Sequence, residues 1–212
     1  MKGKTIKAHW SLWLLVAGSF ILSAFLYNKL PDQMPMHWNL AGEVDRYGSK
    51  FEGAFLMPFL NAIILLMLIW LPVIDPKRSS YERFEGFYRL FQWIMVGFFT
   101  IMHVLILAWS LGYQINIGLY VKLAVGLLFM ILGNYLGKVG PNWFVGIRTP
   151  WTLENPEVWT KTHRLAGPLF FVAGIVIAAM AFVDGPLSFW IILISTFIAA
   201  FVPIIYSYFI FR

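Results

Sequence analysis

Six stretches of this chain contain no Asp, Glu, Lys or Arg: Ala8 to Asn28, Gly53 to Ile74, Leu90 to Val121, Leu123 to Gly137, Leu165 to Val183 and Gly185 to Phe211. A helix that spans a bilayer needs roughly 20 predominantly apolar residues, so each run predicts one transmembrane helix. The fourth run is short; it reaches spanning length if the helix starts near Leu119 and Lys122 snorkels outward. The predicted fold is all-α: a polytopic membrane protein of six helices, read as one integral-membrane domain over residues 1–212. Helices 1 and 2 occupy 10–74 around a connector at 28–52, and helices 3 to 6 occupy 90–212 around a connector at 137–167. With only 12% charged residues, against about 25% in soluble domains, the chain leaves no stretch for a soluble domain. Lys2, Lys4 and Lys7 precede the first run, but its apolar core exceeds the 7–15 residues of a cleaved signal, so it is read as a retained helix.

The formal charge of +6 is explained by its placement rather than by nucleic-acid binding. One set of connectors and termini holds Lys2, Lys4, Lys7, Lys77, Arg78, Arg83, Arg89, Lys138, Arg148, Lys161, Arg164 and Arg212. The opposite set holds Lys29, Arg46, Lys50 and Lys122. By the positive-inside rule this bias places both termini in the cytoplasm, the 28–52 loop outside and the 137–167 loop inside. The two long loops each follow the first helix of a three-helix half, on opposite faces, as in an inverted repeat. The residues of the halves show no similarity.

The inner connector is dense in Gly, Pro, Trp and Arg. Asn155, Pro156 and Glu157 read as a helix start: an N-cap, Pro at the first helical position and an acid in the first turn. A short amphipathic helix at the membrane interface is predicted from there, with Val158, Thr162, Leu165 and Ala166 on one face and Trp159 beside them. Upstream, Gly146, Pro150 and Trp151 frame Arg148 in a tight, non-helical segment. A guanidinium held in such a frame suits a carboxylate, a phosphate headgroup or backbone carbonyls. In the outer loop, Trp38, Asn39, Gly42, Glu43, Asp45 and Tyr47 read as successive turns, a cap that touches an external ligand or closes the bundle.

No H-E-x-x-H, G-x-S-x-G, P-loop or G-x-G-x-x-G pattern occurs. The four histidines lack metal-ligand spacing, and Cys is absent. His37, Glu43 and Asp45 are close in sequence, but such a trio in a polar loop is more often solvated. No catalytic group, metal or cofactor is therefore expected. Inside the helices, Asn61 and His103 are the notable polar groups, read either as proton-relay or ligand contacts or as interhelical hydrogen bonds. Gln92 and Asn134 lie nearer the inner ends and fit interfacial hydrogen bonding. Gly133 and Gly137 form a G-x-x-x-G packing pair.

The string Gly146-Ile147-Arg148-Thr149-Pro150-Trp151-Thr152-Leu153, with Val158-Trp159 and His163-Arg164, resembles the SdpI family of bacterial immunity proteins. The loop with Leu30-Pro31, Pro35, His37-Trp38-Asn39, Gly42, Asp45 and Tyr47-Gly48-Ser49-Lys50 resembles the small domain of unknown function that often accompanies that core. The resemblance implies a multi-pass protein of the bacterial plasma membrane that binds a secreted, membrane-active peptide toxin and confers resistance to it. It also implies a signalling role, in which toxin engagement holds a small cytoplasmic repressor at the membrane. Arg148, Thr149, Pro150, Trp151, Trp159, His163 and Arg164 are then candidates for partner binding inside, and His37, Trp38, Asn39, Glu43 and Asp45 for the ligand outside. Membrane lipid is a further partner. Two other readings stay open: a small proton-coupled transporter using His103, and a membrane enzyme using His163 or Glu157 near Arg148.

Overall fold

A computed structural model describes residues 10–39 and 42–212. Lys2, Lys4, Lys7 and His9 lie outside these residues. Among the described residues, seven α-helices, three 3-10 turns and one β-hairpin occur. α1 is Trp10–Leu26, β1 Gln33–Trp38, β2 Val44–Ser49, α2 Lys50–Ile74, α3 Glu85–Ser110 and α4 Ile117–Leu136. There follow α5 at Pro150–Glu154, α6 at Pro156–Ala179 and α7 at Pro186–Phe211. Six of the helices are long and apolar enough to cross a membrane, as the charge-free runs predict. α5 is a single short turn.

The spans are apolar outward and polar inward. Trp10, Ile21 and Phe25 of α1, Ile63 and Met67 of α2, and Phe197, Phe201 and Ile205 of α7 are exposed, whereas Ser19, Ser23, Asn61, Gln92, His103, Ser188 and Ser207 are buried. Lipid is as apolar as Leu, so burying Leu gains little there; small and hydrogen-bonding residues hold such helices together.

The chain forms two compact units, Met1–Trp70 with Leu90–Gly118, and Leu71–Arg89 with Leu119–Arg212. In the first unit one core joins Leu12, Val16, Leu65 and Val96, and a second joins Leu30, Met34, Ala54 and Leu107. The first connector is not a string of turns. It is an antiparallel hairpin pairing Gln33 with Ser49 and Trp38 with Val44, with an irregular register around His37. Asn39 closes it: its backbone N–H donates to the Glu43 carbonyl and its side-chain oxygen accepts from the Glu43 N–H, while Gly42 turns at φ +81°. β2 passes into α2 without an intervening residue. Ser49 caps the helix in a reciprocal box with Glu52, the Glu52 carboxylate accepting from the Ser49 N–H at 2.8 Å and the Ser49 hydroxyl accepting from the Glu52 N–H. Beneath the hairpin, a β-carbon on Gly53 would fall on the Met34 side chain, so only glycine lets β1 lie this close to α2.

In the second unit, α4 and α6 meet along glycines. A β-carbon on Gly126 would meet the Gly174 carbonyl and the Ala178 backbone, and one on Gly133 would meet the Gly167 carbonyl and the Phe171 backbone. The seam therefore joins Gly126 and Gly133 to Gly174 and Gly167. Gly137, expected as the partner of Gly133, lies past the end of α4, and a β-carbon there would have only ordinary contacts, near 4 Å. Lys122 does not snorkel freely. Its ammonium donates to the carbonyls of Met180 and Val183 at 3.0 and 3.2 Å, closing the turn that follows α6. The short interfacial helix predicted from Asn155 is instead the first part of α6, which continues through Pro168 to Ala179. Proline removes one N–H and stresses the preceding turn, yet α6 is held across that point by the face that buries Val158, Trp159, Thr162, His163 and Ala166.

Candidate functional site

The connector between α4 and α6 is built around two buried polar side chains at its start. Asp75, at the end of α2, accepts from the Lys77 N–H on Oδ1 at 2.7 Å, and from the Trp143 N–H and the Tyr81 hydroxyl on Oδ2 at 2.9 and 3.0 Å. Asn142 accepts from the N–H groups of Phe144 and Val145 and donates to the carbonyls of Gly140 and Val145. Between them these two residues satisfy backbone groups that a non-helical segment would otherwise leave unpaired. Lys77 adds a bond from its ammonium to the Leu153 carbonyl at 2.9 Å.

The Gly146–Leu153 string then folds onto α6. Gly146 sits at φ +111°, and a β-carbon there would collide with Nε2 of His163. The N–H of Ile147 donates to that same nitrogen at 3.0 Å, and Nδ1 of His163 lies 2.8 Å from the Trp159 carbonyl. Nε2 therefore accepts and Nδ1 carries the proton, so both ring nitrogens of His163 are engaged. The imidazole stacks on Trp159 at 4.1 Å, and the Trp159 indole N–H donates to the Val139 carbonyl. Thr149 and Thr152 form a capping box that starts α5 directly after Arg148, so the non-helical segment ends one residue before Pro150. Thr149 also meets the Ser207 hydroxyl at 3.0 Å, and Trp151 packs edge-on against Tyr208, which also meets Phe209 and the Arg212 guanidinium. Asn155 caps α6 by accepting from the N–H groups of Glu157 and Val158, as the sequence predicts.

Of the candidate residues here, Thr149, Trp151, Trp159 and His163 belong to one packed frame that includes Pro150 at the first position of α5. Arg148 and Arg164 project from it, exposed; Arg148 spends one N–H on the Trp143 carbonyl at 3.0 Å. Trp143 beside it is also exposed. Glu157 pairs with Lys161 on the exposed face of α6 at 2.7 Å, away from the buried His163, so the two do not form an acid–base dyad. Asp75, Asn142, Thr152 and Ser207 were not singled out from the sequence. An acid followed by Pro at the end of an apolar run was the available signal for Asp75.

In the hairpin of the first unit, His37 and Asp45 pair at 2.6 Å and Asn39 donates to the Glu43 carboxylate at 3.2 Å, all exposed or half-exposed. The trio thus splits into two pairs. Trp38 turns inward and packs edge-on against Trp109 of α3. Asn61 and His103 lie in the interior of this unit, at 1% exposure each. Gln92, expected near the interface, is fully buried with them, its amide donating to the Leu68 carbonyl.

Residues 138–207, which contain the whole frame from Asn142 to Ser207, match the SdpI/YfhL protein family. Residues 14–62, which contain the hairpin, match a domain of unknown function, DUF1648. The chain is 29% identical to the immunity protein SdpI of Bacillus subtilis (strain 168) over 195 residues, 92% of this chain and 91% of that protein. It is 38% identical to the uncharacterized membrane protein YbgB of the same organism over 52 residues, 24% of this chain and 57% of that protein. No solved structure matches it. The six spans and these relatives make it a multi-pass protein of the bacterial plasma membrane. The connector and the helices after it thus lie in a region that matches the SdpI/YfhL protein family, and the hairpin ahead of them in one that matches DUF1648.

Proposed function

We propose that this protein is a membrane immunity protein that protects its cell from a secreted, membrane-active peptide. The observation that carries this reading is the similarity to the immunity protein SdpI along nearly the full length of both chains. In this reading both termini are cytoplasmic, and the hairpin is extracellular. Its exposed His37, Asp45 and Glu43, with the adjoining helix ends, receive the peptide. The connector of 137–167 faces the cytoplasm, where Arg148, Arg164 and Trp143 stand out from a frame pinned by Asp75, Asn142 and His163. A rigid surface of that kind suits an acidic partner such as a small repressor.

The role is non-enzymatic. What supports this is that His163, the one histidine of the connector, has both nitrogens committed to backbone groups, so it is not free to act as a general base.

The test is to express the chain in a bacterium sensitive to a sporulation-delaying peptide toxin and record membrane potential as the purified peptide is added. Retained potential is the expected result. Collapse as fast as in cells without the protein, with its presence in the membrane verified, refutes protection against that toxin. For the partner surface, Arg148→Ala with Arg164→Ala is expected to abolish toxin-dependent recruitment of a repressor while protection persists.

A further inference from the structure

α2 crosses the apolar region with two prolines in its interior, Pro58 and Pro72. A proline has no N–H, so the carbonyl four residues earlier loses its helical donor. The carbonyls concerned are those of Ala54 and Leu68. In hydrocarbon no water replaces the missing donor, so a donor from a neighbouring helix stabilises such a carbonyl.

Both have one. The Ala54 carbonyl accepts from the Ser23 hydroxyl at 2.5 Å and lies 3.2 Å from Nε2 of His103, which also lies 2.8 Å from the Ser23 oxygen. The Leu68 carbonyl accepts from the Gln92 amide at 3.1 Å. Ser23, His103 and Gln92 are buried at 0%, 1% and 0% exposure. Because the carbonyl only accepts and the single Ser23 hydroxyl proton is spent on it, the His103 proton must sit on Nε2. Nδ1 is then a bare acceptor with no partner among the described residues, and the same holds for Oε1 of Gln92. Asn61 shows the same usage, donating to the Val96 carbonyl and to Thr100 while its own oxygen is unpaired. Each of these three side chains is used for its N–H and not for its acceptor.

We propose that His103 with Ser23 at the Ala54 carbonyl, and Gln92 at the Leu68 carbonyl, are replacement donors for the N–H groups that Pro58 and Pro72 lack. They make a helix with two missing N–H groups stable in the bilayer. The His103 pair holds the end of α2 that carries the hairpin. Only this last step rests on the function proposed above, since it makes His103 a positioning residue for peptide capture. The donor assignment itself stands apart from it.

The pairing is tested by suppression in the full-length protein in lipid nanodiscs, read as thermal midpoint and as resistance to trypsin. His103→Leu and Gln92→Leu are each expected to lower the midpoint by several degrees. Pro58→Ala restores an N–H to the Ala54 carbonyl and is expected to recover most of the His103→Leu loss and none of the Gln92→Leu loss. Pro72→Ala is expected to do the reverse. His103→Gln, which keeps an N–H on a side chain of similar reach, is expected to retain most of the wild-type midpoint. Rescue of both donors by either proline change, rescue of neither, or no loss from the donor variants overturns the proposal. Matched rescue of the midpoint with protection unchanged throughout would leave the donor assignment standing and remove the role in capture.

Discussion

At the scale of single residues, the connector between α4 and α6 depends on atoms that accept more than one donor. Asp75 serves three donors through two oxygens. Asp75→Asn offers one oxygen, and its amide would point N–H groups at groups that also donate. A loss of about 1–3 kcal/mol is expected, measurable as a lower midpoint of thermal unfolding and as increased quenching of Trp143. Gly146 has a sharper constraint. Its φ of +111° disfavours any side chain, and a β-carbon would strike the His163 imidazole. Gly146→Ala is expected to cost at least about 1–3 kcal/mol from the backbone alone, and His163→Gly in the same chain removes the collision without removing that backbone cost. A smaller cost of Gly146→Ala in a His163→Gly background than in the unmodified chain, and an unchanged cost in a Trp151→Ala background, would establish the contact.

At the scale of elements, the α4–α6 seam separates two glycines that look alike in the sequence. Gly133→Val places atoms against the Phe171 backbone and the Gly167 carbonyl, whereas Gly137 has open contacts. Gly133→Val is expected to reduce folded protein in the membrane severely, and Gly137→Val only slightly, as read by fluorescence size exclusion of a tagged chain. The reverse order would refute the seam. Lys122→Met removes both bonds to the Met180 and Val183 carbonyls and is expected to expose the turn at Asp184 to proteolysis. These elements differ in how legible they are. Six spans can be read because a charge-free run long enough to cross hydrocarbon has few alternatives. The Asn155 cap is local and readable too. The hairpin is not: β1 carries a proline, Pro35, which argues against a strand, and its pairing with β2 is not displayed by either segment alone. The glycine seam escapes a G-x-x-x-G search because it is spread over two helices, with 126 and 133 on one and 167 and 174 on the other. Pro58 and His103 can both be noticed alone, but the bond between them passes through the carbonyl of Ala54, which no pattern of side chains displays.

For the molecule as a whole, the charge bias predicts which connectors face out. The chain has no cysteine, so single substitutions report cleanly on orientation. With an impermeant maleimide added to intact cells, Gly112→Cys and Asp184→Cys are expected to label, and Arg78→Cys and Lys138→Cys only after permeabilisation; the opposite pattern would invert the topology proposed here. Orientation gives the join between β2 and α2 a mechanical meaning. The strand ends at Ser49, the helix begins at Lys50, and the junction is clamped by Glu52 on one side and by the Lys50–Asp32 ion pair on the other. There is no slack in it. α2 rises for 25 residues, roughly 37 Å at the usual pitch, so whatever the hairpin grips is held on the same unbroken length of chain that crosses the hydrocarbon.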